Sequence, residues 1–185
     1  VLFGMGGLEA FGDDHGGSYA NMNLNERNSL QVNLCNLKPG KTIADLDGLN
    51  DAYFKWAEKN GTARFFMRLT PLFTGATPTN PGYDYIDMIA STFAVAGEEW
   101  DNWLGTPEGQ KLNARWGELA TCYVRMTHNV TKYADTEALA ADDDRIVTLE
   151  WCDRQESVST DQLIAKHNSL AANFPEGIAN IYWGL

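Results

Sequence analysis

The chain of 185 residues is 44% hydrophobic and 21% charged, an ordinary globular balance and enough for one domain plus part of another. Its net charge is −11, with no Lys/Arg cluster to release counterions from a phosphate backbone, so a nucleic-acid partner is not expected. No segment approaches about 18 consecutive apolar residues, so no membrane span is expected either.

Residues 1–12 read VLFGMGGLEAFG, Gly-rich and mildly apolar, with small Ala10 and Gly12 at the positions read before a cut ahead of Asp13. They are expected to be a signal-peptide remnant, the alternative being a frayed apolar arm. Export places the protein in the periplasm or outside the cell. Residues 13–29 are polar and rich in Gly and Asn and read as an exposed lead-in. Leu30, Val32 and Leu34 then alternate with Gln31 and Asn33, the period of a half-buried strand. Lys38-Pro39-Gly40-Lys41 is a turn. Thr42 is an N-cap, with Asp45 and Asp47 near the positive end of the helix it starts. Ile43, Leu46, Leu49, Tyr53, Trp56 and Ala57 carry that helix to Asn60-Gly61. A second strand is expected from Ala63 to Phe73 and a Thr/Pro/Gly/Asn loop from Thr74 to Gly82. The third strand, Tyr83 to Ala94, turns Tyr85, Asp87 and Ile89 one way and Ile86, Met88 and Ala90 the other. Gly97 to Leu119 reads as helix, broken at Gly105-Thr106-Pro107-Glu108-Gly109, where Thr106 caps a new helix with Pro at its first position. Thr121 to Lys132 is a fourth strand, and 134–145 an acidic linker.

Residues 30–69 and 147–185 share one pattern: apolar strand, Cys, polar loop, amphipathic helix, Gly, apolar strand. Cys35 aligns with Cys152 and Asn50 with His167. The expected organisation is a β-α-β-β-α-β domain over 30–133, a split-βαβ or ferredoxin-like α+β pattern, followed by an incomplete second copy over 146–185. The chain is accordingly expected to be a fragment of a longer tandem protein.

Three Cys and no CxxC pair argue against structural zinc, and no metal site is expected. In the β-α-β-β-α-β topology the first and fourth strands are antiparallel neighbours, which brings Cys35 close to Cys122. The pair is a disulfide if the protein is exported, with Cys152 the spare thiol; otherwise all three are small buried apolar residues. Asp142-Asp143-Asp144 lacks the alternating ligands, central Gly and terminal Glu of an EF-hand and reads as solvated.

The β-α-β-β-α-β order and the segment Trp100–Leu112, WDNWLGTPEGQKL, resemble the dimeric α+β barrel superfamily. Thr106-Pro107-Glu108-Gly109-Gln110 is similar to a turn of its monooxygenase-like members. The resemblance covers roughly 30–133, and 146–185 in part. It implies two sheets paired face to face into a barrel, within one tandem chain or between copies. The group includes antibiotic-biosynthesis-type monooxygenases, haem-degrading monooxygenases and stress-responsive barrel proteins. The haem-degrading members use an Asn and a Trp, or a His ligand.

His128, in the fourth strand beyond Val124 and Met126, is a candidate base or haem ligand, or a hydrogen-bonded strand-end residue. Asn50 and His167, at equivalent helix positions, are candidates for a pocket between helix and sheet, or satisfied flank groups. Tyr85, Arg68 and Arg125, with Arg64 and Asp87, are candidates for one ligand-binding sheet face; the competing reading makes Arg68–Asp87 a cross-strand ion pair. Six Trp residues, Trp183 among them, are core or interface residues or a stacking surface for a flat ligand. No Ser-His-Asp order, Gly-rich phosphate loop, HExxH or paired-carboxylate signature is present. The expected function is an exported small-ligand-binding or structural α+β barrel protein without a cofactor, self-associating through a sheet face or open edge. The alternative is a monooxygenase-like enzyme, cofactor-free or haem-dependent, acting on a small aromatic or hydrophobic substrate.

Overall fold

The computed structural model describes residues 18–19, 22–23, 26–73, 82–141, 146–150, 154–171, 178 and 180–184. The proposed signal remnant, most of the Thr74–Gly82 loop, Asp142–Asp144 and Cys152 lie outside them. The elements are β1 (Ser18–Tyr19), β2 (Met22–Asn23), β3 (Arg27–Leu37), α1 (Ile43–Lys59), β4 (Phe65–Leu69), β5 (Tyr85–Ser91), α2 (Phe93–Gly105), α3 (Pro107–Leu119), β6 (Ala120–Ala134), α4 (Thr136–Ala141), α5 (Thr160–Ala171) and β7 (Asn180–Gly184).

Local chemistry sets the helix boundaries. The Asp45 carboxylate accepts from the Thr42 backbone N–H at 2.7 Å, holding the first turn of α1. That bond, then the Thr42 hydroxyl, keeps the Asp45 carboxyl below its usual range. Gly61 closes the helix at φ +67°, where a Cβ would be strained. Thr106 Oγ1 accepts from the Gly109 N–H at 3.1 Å, and Pro107 sits where a missing N–H does no harm. The expected break therefore separates α2 from α3.

One antiparallel sheet has the order β4-β5-β3-β6-β7, and β1 pairs with β2 in a small ladder. Strands β4-β5-β3-β6, with α1 between β3 and β4 and α2–α3 between β5 and β6, form a ferredoxin-like α+β sheet. Strand alternation divides it into two faces. Leu30, Val32, Met67, Leu69, Ile86, Met88 and Ala90 form the apolar face, packed by Met22, Val147 and Leu149. Phe66 and Ile89 on the other face meet Leu49, Tyr53, Trp56 and Ala57 of α1 and Leu112 of α3. Burying one such large apolar side chain contributes roughly 1.5–3 kcal/mol.

Several boundaries differ from the sequence reading. The lead-in at 13–29 is not wholly exposed. Met22 is buried in the core, and the buried Asn28 side chain ties the turn together, accepting from the Asn23 N–H at 3.0 Å and donating to Asn23 O at 2.7 Å. The 134–145 linker contains α4, because Asp135 Oδ1 caps it by accepting from the Ala138 N–H at 2.9 Å and Glu137, Ala138 and Leu139 are helix formers. β5 stops at Ser91 because Thr92, not a residue near Gly97, caps α2. Residues 147–150 belong to no strand, although Val147 and Leu149 still pack on the sheet. β7 extends the sheet by pairing with Asn129–Ala134 of β6.

Candidate functional site

The helix-side face of the sheet is polar where it is covered. Arg68 on β4 is register partner to Asp87 on β5. Arg68 Nε donates to Asp87 Oδ1 at 2.7 Å and Nη2 to Oδ2 at 2.8 Å. Nη2 also donates to Asn50 Oδ1 at 3.2 Å, so α1 closes the cluster from above. The guanidinium lies 4.8 Å from the Tyr85 ring centroid and 5.6 Å from that of Phe66. Burial pushes the Asp87 carboxyl up against the pull of Arg68. Burial, then the Asp87 charge, pushes Tyr85 up to about 12. Next to Tyr85, Cys35 and Cys122 are joined by a disulfide between register partners of β3 and β6, with Cα atoms 4.1 Å apart.

A second buried cluster joins β4's approach to the helices. Arg64 Nη2 and the Tyr53 hydroxyl both donate to Glu99 Oε1, the tyrosine at 2.8 Å. Arg64 Nε and Nη1, Glu99 Oε2 and Trp56 Nε1 are buried without a partner among the described residues. Burial raises Tyr53 and Glu99 above their ordinary ranges.

The same face changes character at β6. Register places Asn33 opposite Val124, Gln31 opposite Met126 and Ser29 opposite His128. Gln31 and Asn33 are buried, yet Val124 is 43% and Met126 51% exposed. Gln31 Nε2 donates to Asn33 Oδ1 at 2.9 Å, while Gln31 Oε1 is buried with no partner among the described residues. Exposed Arg27, partner of Val130, ends the strip beside His128. The strip therefore presents two exposed apolar side chains, a buried unpaired acceptor, a half-buried imidazole and a cation.

Of the residues singled out in the sequence, Asn50, Arg68 and Tyr85 come together, but as one buried network with Arg68 committed to Asp87. His128 shares their sheet face but lies about four residues further along, ~13 Å at ~3.3 Å per residue, and two to three strands across at ~4.8 Å each, so it is well separated from them. Arg125 does not join them. It is register partner to Val32 and so projects from the opposite face, where its guanidinium lies 5.5 Å from the Tyr123 ring centroid. The reason is parity, because the Cys35–Cys122 pairing puts even-numbered β6 residues on the helix side. His167 is half-buried on α5, which meets β6 through a Lys132–Asn168 hydrogen bond of 2.8 Å. Trp183 is backbone partner to Val130 in β7. Glu99 was not singled out. Its signal was the 96–99–103 spacing, which puts it on the apolar stripe of α2 with Ala96 and Trp103.

Among the described residues no group of three or more His, Cys, Asp or Glu is placed to hold a metal ion. No helix among them is long and apolar enough to cross a membrane.

No family model matches the chain, and no curated protein matches it. Among solved structures, it is similar to an Arabidopsis thaliana protein refined as an ensemble, at 13% identity and a TM-score of 0.40, over 55% of this chain and 92% of that one. It is also similar to a dimeric protein of unknown function and ferredoxin-like fold from Bacteroides fragilis, at 7% identity and a TM-score of 0.34, over 55% of this chain and 93% of that one.

Proposed function

We propose that the chain is a small-ligand-binding module of a tandem α+β barrel protein, working in the periplasm or outside the cell. The observation that carries the reading is the polarity of the helix-side face. Polar Gln31, Asn33, Arg68 and Asp87 lie under cover, while apolar Val124 and Met126 stand open beside them. Water is a poor partner for that strip, and a flat apolar ligand is a good one. Its body would lie on Val124 and Met126, a donor would meet Gln31 Oε1, and an anionic end would meet Arg27. The Cys35–Cys122 disulfide supports an oxidising compartment. The tandem element of the proposal rests on the pattern shared by residues 30–69 and 147–185, whose α5 and β7 lie in helix-then-strand order.

The test uses 8-anilino-1-naphthalenesulfonate, an aromatic anion. The folded protein should give a saturable rise in emission that Met126→Asp and Arg27→Glu each weaken at unchanged near-UV circular dichroism. A folded protein that leaves the probe dark, or variants that bind it unchanged, would remove the proposal.

A second reading, a monooxygenase-like enzyme acting on a small aromatic or hydrophobic substrate, is favoured by one observation. His128 is half-buried on the same strip as Val124 and Met126. An imidazole, an apolar strip and Arg27 fit haem: His128 would hold the iron and Arg27 a propionate. Haem bound there would supply oxygen activation, and the chain's own residues would orient the group and exclude water from one side. Titration with hemin should then shift the Soret band, and His128→Ala should abolish the shift. An unshifted wild type sinks the haem version.

A further inference from the structure

β6 is 15 residues long, and β7 covers only its last part, from Asn129 onward. Among the described residues, the outer edge of 120–128 carries no strand. Tyr123 is 64% exposed, and Val124 and Met126 stand open as noted. Open edges of this length are ordinarily blunted by Pro, bulges, short strands or inward charges. In this one, Thr121-Cys122-Tyr123-Val124-Arg125-Met126-Thr127, Arg125 is the one charge and there is no Pro, and the bulge in β6 lies beyond it, between Thr131 and Tyr133.

Which backbone groups face outward follows from the ladder. The Lys38 N–H donates to Leu119 O at 2.9 Å, so 38 and 119 stand at a hydrogen-bonded position of the ladder, as does every second pair after them. That makes Cys35–Cys122 a non-bonded pair, in agreement with its short Cα separation of 4.1 Å. Odd-numbered β6 residues therefore bond to β3. Cys122, Val124, Met126 and His128 point their N–H and C=O groups away from the sheet.

We propose that this edge pairs antiparallel with the same edge of a second copy, about a two-fold axis through Val124. The open stretch 120–128 is centred on Val124, so the two-fold register uses all of it. A register displaced one way runs the partner into β7, and one displaced the other way runs it into α3. Parity agrees: Val124 faces Val124 of the second copy as a bonded pair, and Cys122 faces Met126 likewise. Between them Tyr123 faces Arg125 of the second copy as a close, non-bonded pair, the geometry in which cross-strand side chains meet. A guanidinium against a phenol ring is a favourable match, already made within one strand at 5.5 Å. On the helix side the pairing sets the two Val124 side chains together and joins the two apolar strips. The proposal stands on the edge and not on the ligand reading, so either survives failure of the other.

The first measurement is sedimentation velocity of the full chain at micromolar concentration, in which a dimer is expected. Val124→Pro removes an N–H that β6 does not use within its own sheet, so the monomer should fold with unchanged near-UV circular dichroism and the dimer should be lost. Val124→Cys in a Cys152→Ser background should form a chain-to-chain disulfide under mild oxidation, while Val130→Cys, beside β7, should not. A monomeric wild type would overturn the proposal. So would a dimer that Val124→Pro leaves intact, or one in which Val124→Cys fails to cross-link.

Discussion

Replacing Arg68 by Met is the sharpest test of the buried network. Asp87 is 0% exposed, and its two oxygens are held at 2.7 and 2.8 Å by Arg68. Met retains most of the apolar stem of Arg and leaves the carboxyl without a cation. A buried charge so stranded either remains ionised at a large desolvation penalty or takes up a proton. The second route sets the ceiling: protonating a carboxyl of ordinary pKa ~3.9 at pH 7 costs about 4 kcal/mol, at ~1.36 kcal/mol per unit. That agrees with the roughly 3–5 kcal/mol found when one partner of a buried pair is removed. The loss of the Asn50 bond and of the contacts to Tyr85 and Phe66 adds to it.

The assay is guanidinium unfolding followed by tryptophan fluorescence, disulfide intact, extrapolated linearly to water. The pH arm fixes the mechanism. In Arg68→Met the folded pKa of Asp87 lies further above its unfolded value, so the folded state binds the proton more readily. Stability of the variant is then greatest below about pH 3.9 and falls as pH rises toward the folded pKa, by up to ~1.4 kcal/mol per unit. The gap to the wild type should therefore narrow on acidification from pH 7 to 4. Arg68→Met with Asp87→Leu removes the stranded charge and should recover most of the loss. A single variant costing under about 1 kcal/mol at pH 7, or a gap that ignores pH, would refute this account.

Gly109→Ala should destabilise by about 1–3 kcal/mol or more, read as a fall in Tm, because a Cβ there meets Asn102 O and Trp103 O at 2.6 Å across the α2–α3 junction. Cys35→Ala with Cys122→Ala should lose about 2–5 kcal/mol in guanidinium unfolding, since the bond closes a loop with a sequence separation of 87 in the unfolded chain. Tyr85, pushed up to about 12 in the fold from an ordinary 10, contributes stability fully present below pH 10 and lost as pH rises from 10 toward 12. Unfolding in that window should rise together with absorbance at 295 nm, and Tyr85→Phe should shift its onset upward; an unchanged onset would remove the assignment.

The elements that announced themselves did so through backbone chemistry. Thr42 with Asp45 and Thr106-Pro107 mark helix starts whatever the rest of the chain does, and α1 and α3 begin there. The alternation in 85–90 could only be a strand with Ile86, Met88 and Ala90 on one face. Arg125 was misplaced because alternation within one strand does not say which face is shared with the next; only the register with β3 does. Glu99 escaped notice because a carboxylate beside Glu98 reads as solvated until Tyr53 and Arg64 arrive from α1 and β4's approach. The open state of β6 was likewise illegible. Val124 and Met126 look like ordinary core residues in the sequence, and only the fold leaves them 43% and 51% exposed.

That last mismatch also separates stability from function. Apolar burial stabilises this fold through Leu69, Ile86 and Leu46, all fully covered. Val124 and Met126 gain little of that term, because about half of each side chain stays in water. Replacing both by Thr, which suits an exposed strand, should therefore leave stability within about 0.5 kcal/mol of the wild type. If the strip holds a flat ligand, the same change should abolish saturable binding of the naphthalenesulfonate probe. If the two residues were instead core, the double variant would lose several kcal/mol and the argument for a site on this face would go with it.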